Sequence, residues 1–156
     1  MKSRILFSIV FLMLFISCKK ETVTPTKVIE KPMKSPSSNE CYAYDLKGDK
    51  IELQLHYMSD SDSVTGKLNF AFAEKDNNNG FIIGKLTDQI LIADYTFRSE
   101  GKTSKRQVAF ELKDDKAILG YGEMDQDGTF FKDINKVKFD SGVQLTKTDC
   151  STSHDN

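Results

Sequence analysis

The chain has no tryptophan, only two histidines, three cysteines and three prolines among its 156 residues. Each shortage excludes something. Without tryptophan there is no indole platform for a sugar ring, and nothing in their spacing makes Glu74 and Glu123 the carboxylate pair of a glycosidase. The cysteines form no CxxC, and with only His56 and His154 to join them no metal site is expected. His56 falls on the exposed face of a strand pattern and His154 in a short tail, and neither lies near a nucleophile motif such as GxSxG. No enzyme activity and no cofactor are therefore expected. The longest apolar run, Ile5 to Ile16, is broken only by Ser8. It falls well short of the roughly 20 residues that cross a bilayer as a helix. An excess of basic residues is also missing. The net charge is −1, and residues 41–150 hold fifteen Lys and Arg against nineteen Asp and Glu. That balance argues against nucleic acid, whose binding rests on neutralised phosphates.

What is present divides into three parts. Lys2 and Arg4 precede the apolar run, which ends in Leu14-Phe15-Ile16-Ser17-Cys18-Lys19. Residues 19–40 carry all three prolines (Pro25, Pro32, Pro36), many Thr, Ser and Lys, and no aromatic residue. Such a stretch cannot bury enough apolar surface to offset the entropy of ordering, so it reads as a disordered tether. Residues 41–150 carry all nine glycines and no proline, and form a single domain large enough for a modest core. Residues 151–156 read as a disordered tail.

A cationic start, a twelve-residue apolar core, a small residue and then cysteine resemble the lipobox of bacterial lipoproteins, which signal peptidase II cleaves. Phe15 stands where leucine is more usual. The resemblance implies a signal peptide at 1–17, cleavage after Ser17, a diacylglyceryl thioether on Cys18 and an acylated new amino terminus. Two or more acyl chains hold a protein on a membrane where one does not. The membrane is then a partner through the anchor alone. Lys19, where the sorting rule of enteric bacteria would need Asp for inner-membrane retention, leans toward the outer membrane and leaves open the periplasmic or surface face. With Cys18 lipidated, Cys41 and Cys150 remain, one at each edge of the domain and in an oxidising compartment. They are expected to pair as a disulfide.

The domain alternates with period two. Ile51, Leu53, Leu55 and Tyr57 share one strand face, as do Leu68, Phe70 and Phe72, then Leu91, Ala93, Tyr95 and Phe97, then Val108, Phe110 and Leu112. "KAILGYGEM", "FFKDINKVKF" and "VQL" follow with looser alternation. Turn signals lie at 59–63, 76–80, 87–88, 99–104, 114–115, 125–128 and 140–142, with Asn79-Gly80 and Asp127-Gly128 the strongest for hairpins. No segment has a helical period. About eight strands with short links predict an all-β, antiparallel up-and-down meander that closes into a barrel. "CYAYDLKGD", "EKDNNNG", "ADYTFRSEG" and "KFDSGVQL" in this order resemble a group of small envelope lipoproteins of Bacteroidota-type bacteria. That resemblance implies a lipocalin-like barrel and brings no activity.

Alternate turns of a meander fall at one end, so those at 75–79, 99–104 and 125–128 share an end, and Cys41 and Cys150 are expected there too. At that end Glu74 extends the face of Phe70 and Phe72, Arg106 that of Val108 and Phe110, and Ser99 that of Tyr95 and Phe97. An inward charge needs a partner. Either Glu74 and Arg106, with Glu100 joining, form an ion pair that closes the barrel, or Arg106 meets an anionic ligand oriented by Glu74 and Ser99 beside Tyr95. "MDQDGTFF" is a hairpin turn rather than a calcium loop, since Ile134 occupies the twelfth position, where an acidic ligand is required. Two functions fit: a lipid-anchored barrel that binds a small molecule or lipid, or an anchored interaction module of an envelope complex. An outward apolar patch around Ile90 and Ile92 would favour the second.

Overall fold

The period-two segments and their short links form eight antiparallel strands in chain order, closed on themselves as an up-and-down barrel. The structure, a computed structural model, describes residues 38–59, 61–73 and 75–150. The strands are β1 (Asn39–Leu46), β2 (Asp49–Tyr57), β3 (Ser63–Ala71), β4 (Asn78–Thr87), β5 (Ile90–Ser99), β6 (Lys102–Lys113), β7 (Lys116–Leu119) and β8 (Gln144–Thr148). The leader with Cys18, the tether through residue 37, Glu74, and the tail with His154 lie outside the described residues. Among the described residues no helix is long and apolar enough to cross a membrane.

Alternation works as expected. Ile51, Leu53 and Leu55 of β2, Leu68 of β3, Ile82 of β4, Leu91 and Tyr95 of β5, Phe110 of β6 and Leu145 of β8 are buried to 1% exposure or less. Eight strands leave an interior just wide enough for such side chains, and they pack there as one core cluster. Each fully buried aliphatic or aromatic side chain contributes about 1.5–3 kcal/mol. The strands coil tightly enough that Gly80 and Gly84 of β4 have no room for a side chain. A Cβ would come within 2.1 Å of the Thr96 carbonyl oxygen at Gly80 and 2.2 Å of that of Ile92 at Gly84. Asn79-Gly80 is therefore part of a strand and not the hairpin turn its sequence predicts. Close backbone approach, rather than a turn, is what demands glycine there. Asp127-Gly128 is a turn: Gly128 has φ 68, and Asp125 Oδ1 accepts from Thr129 N at 2.7 Å.

Two further expectations change. "CYAYDL" is a strand, β1, with Tyr42 buried and Tyr44 packed on the core. Its hairpin turns at Lys47 (φ 55) and Gly48 (φ 91). "FFKDINKVKF" is not a regular strand. Asp133 accepts from Asn135 N at 3.0 Å and caps a 3-10 turn at Ile134–Lys136, so only single bridges, Tyr121 with Lys138 and Met124 with Phe131, remain. The strand total survives because one strand is gained and one lost. The gained strand reverses a placement. β1 begins at the end opposite Arg106, beside the end of β8, so Cys41 and Cys150 close the far end of the barrel and not the expected one. They are disulfide-bonded, with Cα atoms 5.2 Å apart.

Candidate functional site

β6 runs inward from the turn at Glu100 and Gly101, and Arg106 stands opposite Tyr95 in the β5–β6 register. The pleat sends both side chains inside. Tyr95 stacks on Phe97 two residues along, centroids 4.7 Å apart, and meets Phe70 of β3 edge-on at 5.8 Å. The Arg106 guanidinium carbon lies 5.3 Å from the Phe97 centroid, 5.4 Å from Phe70 and 5.8 Å from Tyr95. A cation at these distances is held by the ring faces, each contributing about 0.5–2 kcal/mol depending on desolvation.

No ion pair joins Arg106 to any described residue. Its Nε is buried and has no hydrogen-bond partner among the described residues, whereas the residue as a whole is half-buried, so the terminal nitrogens keep solvent access. Tyr95 is fixed from its other side, donating its hydroxyl to the Asn78 carbonyl at 2.7 Å. Burial pushes its phenol up to about 12, against a smaller opposing pull from Arg106, so it stays a neutral donor.

Of the residues predicted for this site, the structure brings together Arg106 and Tyr95. Ser99 shares their inward face but lies nearer the rim, paired with Lys102. Glu100 is exposed, at φ 50 in a two-residue hairpin turn. Glu74 lies outside the described residues. The three-ring box was not read from the sequence, although Phe70 and Phe97 were both placed on inward faces. Cross-strand register decides which of them meet, and short-range alternation does not report it.

The opposite end carries a different polar group. Glu40 accepts from the hydroxyls of Tyr42 at 2.8 Å and Tyr57 at 2.5 Å and pairs with Lys147 at 3.3 Å. Lys147 also lies 3.7 Å from Asp115. Burial first, and then the Glu40 carboxylate, hold both phenols well above their ordinary range. This cluster knits the β1–β8 seam beside the disulfide.

Outside the barrel, Ile90 and Ile92 are half-buried, so the patch expected around them is only partly exposed. The exposed apolar pair is Phe81 and Ile83 on β4, at 63% and 67% exposure. Among the described residues, no group of three or more His, Cys, Asp and Glu is placed to hold a metal ion. No family model, curated protein or solved structure matches the chain.

Proposed function

We propose that the chain is a lipid-anchored lipoprotein of the cell envelope, held through Cys18 on the outer membrane. Its barrel takes a small anionic molecule at the Arg106 end. One observation carries the second statement. The Arg106 guanidinium sits on three aromatic faces with a buried, unpartnered Nε. Leaving such a donor unpaired costs about 1–3 kcal/mol. A closing ion pair would have met that cost, and none exists among the described residues. A carboxylate entering from the rim would find a planar, pre-positioned cation with free N–H edges. Arg106 lies toward the Glu100-Gly101 end of the β5–β6 ladder, so the ligand is expected at the barrel end. No catalytic step belongs to this reading.

The test is native mass spectrometry of the mature protein extracted from its own host envelope, alongside Arg106→Met. A small anionic adduct on the wild type that is lost in a folded Arg106→Met protein supports the proposal. No adduct on either protein, with the variant more stable, would leave Arg106 a purely structural cation. The cluster of buried core residues inside the barrel also favours a second reading, an anchored module that joins an envelope protein complex and has no internal ligand. A recurrent protein partner in the same extract would establish it.

A further inference from the structure

We infer that the outer face of β3 and β4 rests against the bilayer, with Phe81 and Ile83 entering the headgroup region. This rests on the lipid anchor proposed above. Phe81 pairs with Lys67 across β3, and Ile83 with Thr65. Both apolar side chains are more than half exposed and line a shallow groove of about 500 Å³ with Asn39, His56 and Lys67. The chain enters the barrel at that groove's edge, where His56 Nδ1 donates to Asn39 Oδ1 at 2.8 Å. The tether therefore joins the barrel beside this face. The twenty residues between Cys18 and Asn39 span at most about 70 Å, so the bilayer is always within reach.

Charge points the same way. The domain is acidic overall, yet exposed Lys67, Lys85 and Arg98 surround the apolar pair. The neighbouring acid, Asp94, is neutralised by Lys105 at 2.8 Å. An aromatic and aliphatic centre with a basic rim suits an anionic lipid surface, where apolar burial and headgroup attraction add. Two apolar side chains, each more than half exposed, suit shallow insertion into the headgroup region.

Because the chain has no tryptophan, Phe81→Trp provides a single fluorescent probe. The full mature, lipidated protein is placed in phosphatidylethanolamine–phosphatidylglycerol vesicles that contain brominated acyl chains. Tyr121→Trp, across the barrel beyond β7, is the control. The expected result is blue-shifted emission and quenching several-fold stronger at position 81 than at 121, weakened by Lys67→Glu with Lys85→Glu. Ile83→Trp repeats the reading if Phe81→Trp does not fold. Protein that floats with the vesicles but shows equal or no quenching at the two positions would overturn the inference and leave the anchor standing. A blue shift without quenching would also overturn it, since protein would then cover the face. Protein that fails to float would refute the anchor itself, and the inference with it.

Discussion

Removing the disulfide with Cys41→Ala and Cys150→Ala should cost about 3–5 kcal/mol, from a total of about 5–15 kcal/mol for a domain of this kind. β1 and β8 share only three registered pairs, Cys41 with Thr148, Tyr42 with Lys147 and Ala43 with Thr146, against ten between β5 and β6. This short ladder, the Glu40–Lys147 pair and the disulfide close the barrel. The bridge spans 109 residues, and a loop of about 100 residues gains roughly 4.7 kcal/mol from the restricted unfolded chain. Cys150 is exposed and Cys41 half-buried, so little packing is lost with the sulfurs, and the effect comes mainly from the unfolded state. Urea unfolding measures it. With a slope near 1.5 kcal/mol/M, the midpoint should fall by about 2–3 M, and reductant should shift the wild type equally. Amide exchange should also quicken first in residues 144–148. A loss below about 1 kcal/mol would refute the reasoning, because the ladder and the Glu40 cluster would then suffice to hold the seam.

Other outcomes follow from the same contacts. Glu40→Gln keeps the shape but removes the charge that accepts from Tyr42, Tyr57 and Lys147; a loss of about 2–3 kcal/mol in urea unfolding is expected, with Lys147→Met largely non-additive to it. Gly84→Ala drives a methyl to 2.2 Å from the Ile92 carbonyl oxygen and should cost about 3 kcal/mol or abolish folding, read by circular dichroism and melting. Tyr42, Tyr57 and Tyr95 ionise later folded than unfolded. Their stabilisation is complete below about pH 10, the unfolded phenol value, and is lost as pH rises toward about 12 for Tyr95 and higher for the other two, with a slope of at most about 1.4 kcal/mol per pH unit for each tyrosine. Urea midpoints from pH 8 upward check this, and Tyr95→Phe should flatten the decline.

The fold class was legible because most strands bury one face, and one-sided burial writes itself as period two. What failed were places where short-range pattern and backbone demand part company. Asn79-Gly80 has the composition of a type I′ turn, but only the neighbouring strand reveals that Gly80 is needed for close approach. "FFKDINKVKF" alternates passably, yet Asp133 prefers to cap a local turn, and a side chain competing for backbone N–H groups leaves no periodic trace. β1 was hidden because its outward positions, Cys41, Ala43 and Asp45, include no run of polar residues to set off Tyr42 and Tyr44. At the site, the inward direction of Arg106 was readable from parity. Tyr95 was placed beside it, but Phe70 and Phe97 were not, because they depend on the β3–β4–β5–β6 register.

The position of β1 also bears on how the proposed anchor and the proposed mouth could coexist. Had the chain entered the barrel at Asp49, tether and disulfide would both crowd the Arg106 rim. Because β1 runs antiparallel to β2, Asn39 lies beside His56 at the far end, and the Arg106 rim is bordered by the Lys47-Gly48 and Glu100-Gly101 turns. On the two proposals above, a barrel tethered through Asn39 and lying on Phe81 and Ile83 would have its axis along the bilayer and its mouth open sideways to diffusing ligand. Anchor, resting face and mouth are then separable. Phe81→Ser should abolish the preference for the surface while preserving flotation and the anionic adduct, and Arg106→Met should lose the adduct while lipid quenching at a tryptophan in position 83 persists. If Phe81→Ser instead removed the adduct, face and mouth would be one site, and the sideways orientation would have to be abandoned.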